Sequence, residues 1–133
     1  MYTHKTKLRV RYGETDQMKY VYYGIYAQYF EVGRVELLRS LGLSYKKLEE
    51  MGYQLPVVNF NIDYKKPAYY DDELIIETTV VKIHKVKIVF SYKTYNTSNE
   101  VLNSAETTLV FVDSETGKPC VVPKLLTDKF KLV

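Results

Sequence analysis

The hydrophobic repeat of this chain changes period once, close to its start, and that change constrains everything after it. From Lys5 to Tyr12 the residues alternate. Thr6, Leu8, Val10 and Tyr12 share one face, and Lys5, Lys7, Arg9 and Arg11 share the other, the pattern of a strand with one face in water. Gly13 ends the alternation, and Glu14-Thr15-Asp16 supply the polar side chains of turns and helix entries. From about Tyr22 the spacing becomes three and four: Tyr22, Tyr26, Tyr29, Phe30, Gly33, Leu37 and Leu41 form a helical stripe. A strand, a tight acidic turn and one long Tyr-rich helix therefore follow in order, with Asp16 just ahead of the helix.

The helix carries no charge before Glu31, which predicts a first half buried on nearly every side. Its second half pairs Glu31 with Arg34 and Glu36 with Arg39 at i,i+3 on an exposed flank. Gly33 costs a helix about 1 kcal/mol against Ala, so it reads as a point where the helix lies close on a sheet. Gly42 ends the helix in the C′ position. Ser44 caps a short second helix, Tyr45 to Met51, which Gly52 ends.

Strands follow. In Val57 to Lys66, Val58, Phe60, Ile62 and Tyr64 face inward, opposite Asn59, Asn61, Asp63 and Lys65. Pro67 to Asp72 interrupts, and Asp71 and Asp72 read as turn residues. Strands are predicted at about Glu73–His84, Val86–Tyr95 and Val101–Asp113, with a weak turn signal at Lys85 and strong ones at Asn96–Asn99 and Ser114–Gly117. Short connections make these neighbours antiparallel. A short strand at Cys120–Val122 and a helix after Pro123 with Leu125, Leu126 and Phe130 on one face complete the reading. A single helix apolar on all sides is best covered by a strongly curled sheet, and the open edges of such a sheet invite a second copy.

The 133 residues make one domain, 1–133. A charge of +3 from 19 basic and 16 acidic residues is too balanced for a nucleic-acid binder and compatible with an anionic small molecule. One cysteine, Cys120, excludes an internal disulfide and points to a reducing compartment. The start MYTHKTKLRV has no apolar signal-peptide core, and no apolar run reaches the roughly 20 residues of a membrane span. The expectation is a cytoplasmic protein.

With only His4 and His84, no His-rich metal site is possible, and neither G-x-S-x-G, a P-loop nor G-x-G-x-x-G is present. Asp16 beside a helix N-terminus remains. Unpaired amides and the helix dipole there polarise a carbonyl and hold an oxyanion, while a neighbouring carboxylate takes a proton from water or attacks directly. The residues alone leave two readings open, acyl-transfer chemistry or a plain cap.

The stretch RYGETDQMKYVYYGIYAQYFEVGRVELLR, with IDYKKPAYYDDEL downstream, resembles the hotdog-fold acyl-CoA thioesterases of the 4-hydroxybenzoyl-CoA thioesterase type. The resemblance implies an α+β hotdog fold, a curled antiparallel sheet of about five strands wrapped around one central helix. It implies hydrolysis of a small or medium acyl-CoA, with Asp16 as general base or nucleophile and the backbone amide of Tyr23, seven residues on, polarising the thioester carbonyl. It further implies a site between the subunits of a homodimer, often paired into a homotetramer, without metal or cofactor. Lys85 and Lys87 on the hairpin then grip the coenzyme A phosphates, and Tyr26 lines the acyl pocket. Glu31 has a second reading as a helix carboxylate of the site. Many relatives carry Gly, His and Asn where this chain has Lys19, Tyr23 and Ile25. Those departures keep alive a non-catalytic hotdog module that binds an acyl thioester; a dehydratase, which needs a well-placed His, fits worst.

Overall fold

The computed structural model describes residues 2–131; Met1 and residues 132–133, within the expected domain, lie outside the described residues. Five strands, β1 (Tyr2–Arg9), β3 (Val57–Tyr64), β4 (Glu73–His84), β5 (Lys87–Tyr95) and β6 (Val101–Val110), form one antiparallel sheet in the order β1-β4-β5-β6-β3. Short strands β2 (Tyr53–Gln54) and β7 (Val112–Asp113) pair separately. Helix α1 (Tyr26–Ser40) packs on one face of the sheet, followed by α2 (Tyr45–Glu50), while α3 (Lys124–Lys131) closes the chain. The fold is the hotdog fold expected. Register shifts at Val80/Lys82 in β4, at Val57/Asn59 in β3 and between β5 and β6, where Leu102 of β6 is the extra residue opposite Thr94 and Tyr95, bend the strands around the helix.

Packing of α1 explains its sequence. Tyr26, Tyr29, Phe30, Gly33, Arg34, Leu37 and Leu38 are buried. The Phe30 ring stacks on Tyr92 of β5 with centroids 4.4 Å apart and meets Phe60 of β3 at 6.0 Å. A Cβ on Gly33 would stand 2.4 Å from Thr78 Oγ1 and 3.1 Å from Ile76 Cγ2, so the close approach inferred from the sequence is real. Gly42, at φ +78°, ends the helix, and Ser44 accepts the Lys47 amide at 3.0 Å to start α2.

Several expectations change. β1 ends at Arg9 rather than Tyr12, because Val10 exchanges backbone hydrogen bonds with the Asp71–Asp72 turn. Tyr12 consequently stands in solvent, edge-on to Tyr70. The helix begins at Tyr26, preceded by a 3₁₀ turn over Tyr23–Ile25 that leaves Tyr22 outside it. Ala27, Gln28 and Glu31 are exposed, so the uncharged first half is buried on one side only. Glu36 and Arg39 pair at 3.4 Å as expected. Arg34 does not pair with Glu31. It is buried, donating from Nη1 to the Tyr92 hydroxyl (3.0 Å) and from Nε to that of Tyr45 (3.2 Å), and so ties α2 to the sheet.

The alternation expected of β3 does not appear in its burial: Val58, Phe60 and Tyr64 are exposed with their polar neighbours and only Ile62 is half-buried, since β3 is the sheet edge farthest from β1. Residues 120–122 form no strand. Cys120 and Val122 donate singly to the carbonyls of Phe111 and Lys85. On α3, Leu126 is buried while Leu125 faces solvent.

Candidate active site

Asp16 stands on a small loop returned to the start of α1 by backbone pairing. Thr15 bridges Val21, Tyr20 bridges Tyr69, and the Val21 amide donates to the Ala68 carbonyl at 2.9 Å. One carboxylate oxygen of Asp16 accepts the Met18 amide at 2.8 Å, an Asx turn that orients the side chain and leaves the second oxygen free of protein donors among the described residues. Lys19 sits at φ +70° in this turn, which is the physical reason Gly suits the position, and its side chain is exposed rather than paired with Asp16.

Glu14 anchors the loop. Its buried carboxylate accepts the Arg11 amide (2.8 Å), Arg11 Nε and Nη2 (3.0 and 2.8 Å) and the Tyr29 hydroxyl (2.8 Å). Burial pushes its carboxyl up, but the donors and charge of Arg11 and the Tyr29 hydroxyl outweigh that and hold it below the ordinary value. In the sequence Glu14 reads only as a turn residue; its i,i+3 spacing from Arg11 is the one signal of this pairing. Glu14 also accepts the Tyr22 amide through its carbonyl at 2.9 Å, and the Ile25 amide goes to the Tyr22 carbonyl at 2.9 Å. The amides of Tyr23 and Gly24 have no acceptor among the described residues. They are the open donors at the mouth of the helix.

Asp16, Tyr23 and Tyr26 line one open cleft of about 400 Å³, together with Met18, Tyr20, Val21, Tyr64, Lys65, Lys66 and Pro67. The fold thus unites three of the five residues singled out from sequence. Tyr26 is buried, and burial first, then the neighbouring Tyr64 and Asp72, pushes its hydroxyl up to about 12. Lys85 and Lys87 lie elsewhere. Lys85 lies in the β4–β5 turn at φ +56° and Lys87 opens β5, at the end of β4 remote from the cleft. Twelve residues of β4 separate the two ends, roughly 36 Å of strand. The basic groups in the cleft are instead Lys65 and Lys66, the latter paired with Glu100. The pair before Pro67 was their only signal in the sequence. Glu31 is on the exposed side of α1 and does not line the cleft.

The family model described as the thioesterase-like superfamily matches residues 10–130. The chain belongs to the thioesterase-like superfamily. Among its relatives, the putative acyl-CoA thioesterase YneP of Bacillus subtilis is 38% identical over 96% of this chain and 93% of its own length. The acyl-CoA thioester hydrolase YbgC of Escherichia coli is 33% identical over 93% of this chain and 92% of its own. A solved DHNA-CoA thioesterase from Staphylococcus aureus superposes with a TM-score of 0.91 at 32% identity, covering 98% of this chain and 88% of that one. This member of the thioesterase-like superfamily is therefore an enzyme of the thioester hydrolase class on a hotdog scaffold. No helix among the described residues is long and apolar enough to cross a membrane.

Proposed function

We propose that this thioesterase hydrolyses a small or medium acyl-CoA to the free acid and coenzyme A, with Asp16 as general base or nucleophile and the Tyr23 amide as oxyanion donor. One observation carries the reading: Asp16, with an uncommitted carboxylate oxygen, and Tyr23, whose backbone amide is open, line the same aromatic cleft. The thioester oxygen sits at the amides, which stabilise the negative charge that develops on it. As general base, Asp16 takes a proton from water while the water oxygen bonds to the acyl carbon. The C–S bond then breaks, the thiolate leaves, and the proton on Asp16 passes to sulfur. As nucleophile, Asp16 attacks the acyl carbon and the C–S bond breaks with loss of the coenzyme A thiolate; water then cleaves the resulting mixed anhydride to the free acid and the Asp16 carboxylate, and the released proton goes to the thiolate.

The open edge of β3, with Val57, Val58, Phe60 and Tyr64 partly exposed, supports self-association to a dimer, in which a second copy completes the cleft; dimers pairing to tetramers fit the same reading. In such an assembly the hairpin Lys85 and Lys87 can serve a neighbouring subunit's coenzyme A phosphates. A cytoplasmic location fits acyl-CoA as substrate. The test is thiol release across acyl-CoAs from acetyl to palmitoyl and aromatic ones, for wild type and Asp16→Asn. Turnover that falls by several orders of magnitude in a folded variant is expected; unchanged turnover removes Asp16 from the mechanism.

A further inference from the structure

The Tyr64 hydroxyl donates a 2.9 Å hydrogen bond to the Tyr23 carbonyl oxygen. Tyr64 ends β3, the edge strand, and Tyr23 opens the turn that leads into α1, so the bond joins sheet edge to helix mouth. The Tyr64 ring packs against Tyr26 with centroids 5.9 Å apart, at 61°, so its place in the cleft wall does not depend on the hydroxyl. The hydroxyl has a separate task. The Tyr23 carbonyl and the Gly24 amide belong to one planar trans peptide, so fixing the oxygen fixes the direction of the N–H on the other side. A hydrogen bond at that oxygen also polarises the peptide and strengthens its N–H as a donor. A Cβ at position 24 would meet the Tyr22 ring at 3.1 Å, so glycine avoids a crowded contact beside that amide.

We propose that Tyr64 is a positioning residue for thioester cleavage, holding the Tyr23–Gly24 peptide through the Tyr23 carbonyl so that the open Gly24 amide stays aimed at the thioester oxygen as a second donor beside the Tyr23 amide. The inference rests on the reading of the Asp16 cleft given above. A donor that matters in the transition state moves kcat, whereas a wall that merely holds the acyl group moves KM.

The experiment compares wild type, Tyr64→Phe and a chain with 4-aminophenylalanine in place of Tyr64, which keeps a donor at the same reach. Thiol release from the best acyl-CoA of the panel is measured along with thermal unfolding. In Tyr64→Phe, kcat falls roughly 10- to 100-fold, the scale for losing a supporting hydrogen bond behind a reactive group, with KM within threefold and folding retained. The 4-aminophenylalanine chain recovers most of that loss. A kcat in Tyr64→Phe within twofold of wild type, or a loss carried by KM alone, overturns the inference while leaving the cleft assignment standing. Should the Phe variant fail to fold, 4-fluorophenylalanine at position 64, which fills the same place but donates nothing, decides: a kcat lowered at least 10-fold with KM within threefold supports the inference, and any smaller loss of kcat, or one carried by KM, overturns it. A wild type that releases no thiol from any acyl-CoA overturns the cleft reading and this inference together.

Discussion

Glu14→Gln removes a charge from the turn that carries Asp16 and changes almost nothing in shape. The cost follows from which partner can turn to water and which must stay. The Arg11 side chain is 80% exposed and turns to water once its carboxylate is gone, so the ion pair itself contributes at most about 1 kcal/mol. Tyr29 is buried, 4% exposed, and has no such escape. The Gln oxygen can keep the Arg11 amide and the Tyr29 hydroxyl, but its NH₂ then faces the Arg11 guanidinium, donor against donor. Hydrogen bonds to a charged acceptor contribute about 1.5–3 kcal/mol and neutral ones about 0.5–1.5, so the expected loss is about 2 kcal/mol. Urea unfolding at pH 7 then shows a midpoint lowered by about 1 M with an unchanged slope. A double-mutant cycle with Tyr29→Phe gives a coupling of about 1 kcal/mol. The sign with pH is fixed as well. The carboxyl is held lower in the folded protein than its ordinary 4.5, so its stabilisation is complete above that value and is lost as pH falls through the folded value. The stability gap between wild type and variant therefore closes below about pH 4.5. A loss under about 0.5 kcal/mol at pH 7, or zero coupling to Tyr29, refutes the reasoning.

Gly33→Ala gains helix propensity of about 1 kcal/mol but drives a methyl to 2.4 Å from Thr78 Oγ1. Thr78 is fully buried, and overpacking of about 1–3 kcal/mol makes a net loss of about 1 kcal/mol, which adding Thr78→Ala reverses in urea melts. Lys19→Gly, relieving a side chain at φ +70°, raises stability by about 0.5–1 kcal/mol; an unchanged or lower midpoint contradicts strain there. Glu at both Lys85 and Lys87 raises KM for acyl-CoA several-fold and leaves the same acyl group on N-acetylcysteamine unaffected, and equal effects on both substrates contradict phosphate binding at the hairpin.

Local patterns were enough for the elements themselves. Alternation along Lys5–Arg9 and the β-strand runs, the three-and-four stripe of Tyr26, Phe30, Gly33 and Leu37, the Ser44 cap and the Gly42 terminus all act within a few residues, so one sequence reveals them. Asp16, Tyr23 and Tyr26 were legible because they lie within eleven residues of one another, in a stretch with a recognisable spacing. Pairings between distant segments were not legible. Placing β3 at the edge exposes Val58, Phe60 and Tyr64, three of the four apolar residues that its alternation promised to the core. Arg34 looked like a surface ion-pair partner, because its acceptors Tyr45 and Tyr92 are 11 and 58 residues away. The same holds for Tyr64, whose bond to Tyr23 spans 41 residues, and for Lys65 and Lys66, which the loop before β4 carries into the cleft in place of the hairpin lysines. Periodicity states which way a side chain turns. What it meets there is set by strand order and helix placement, and those depend on the free energy of the whole packed chain.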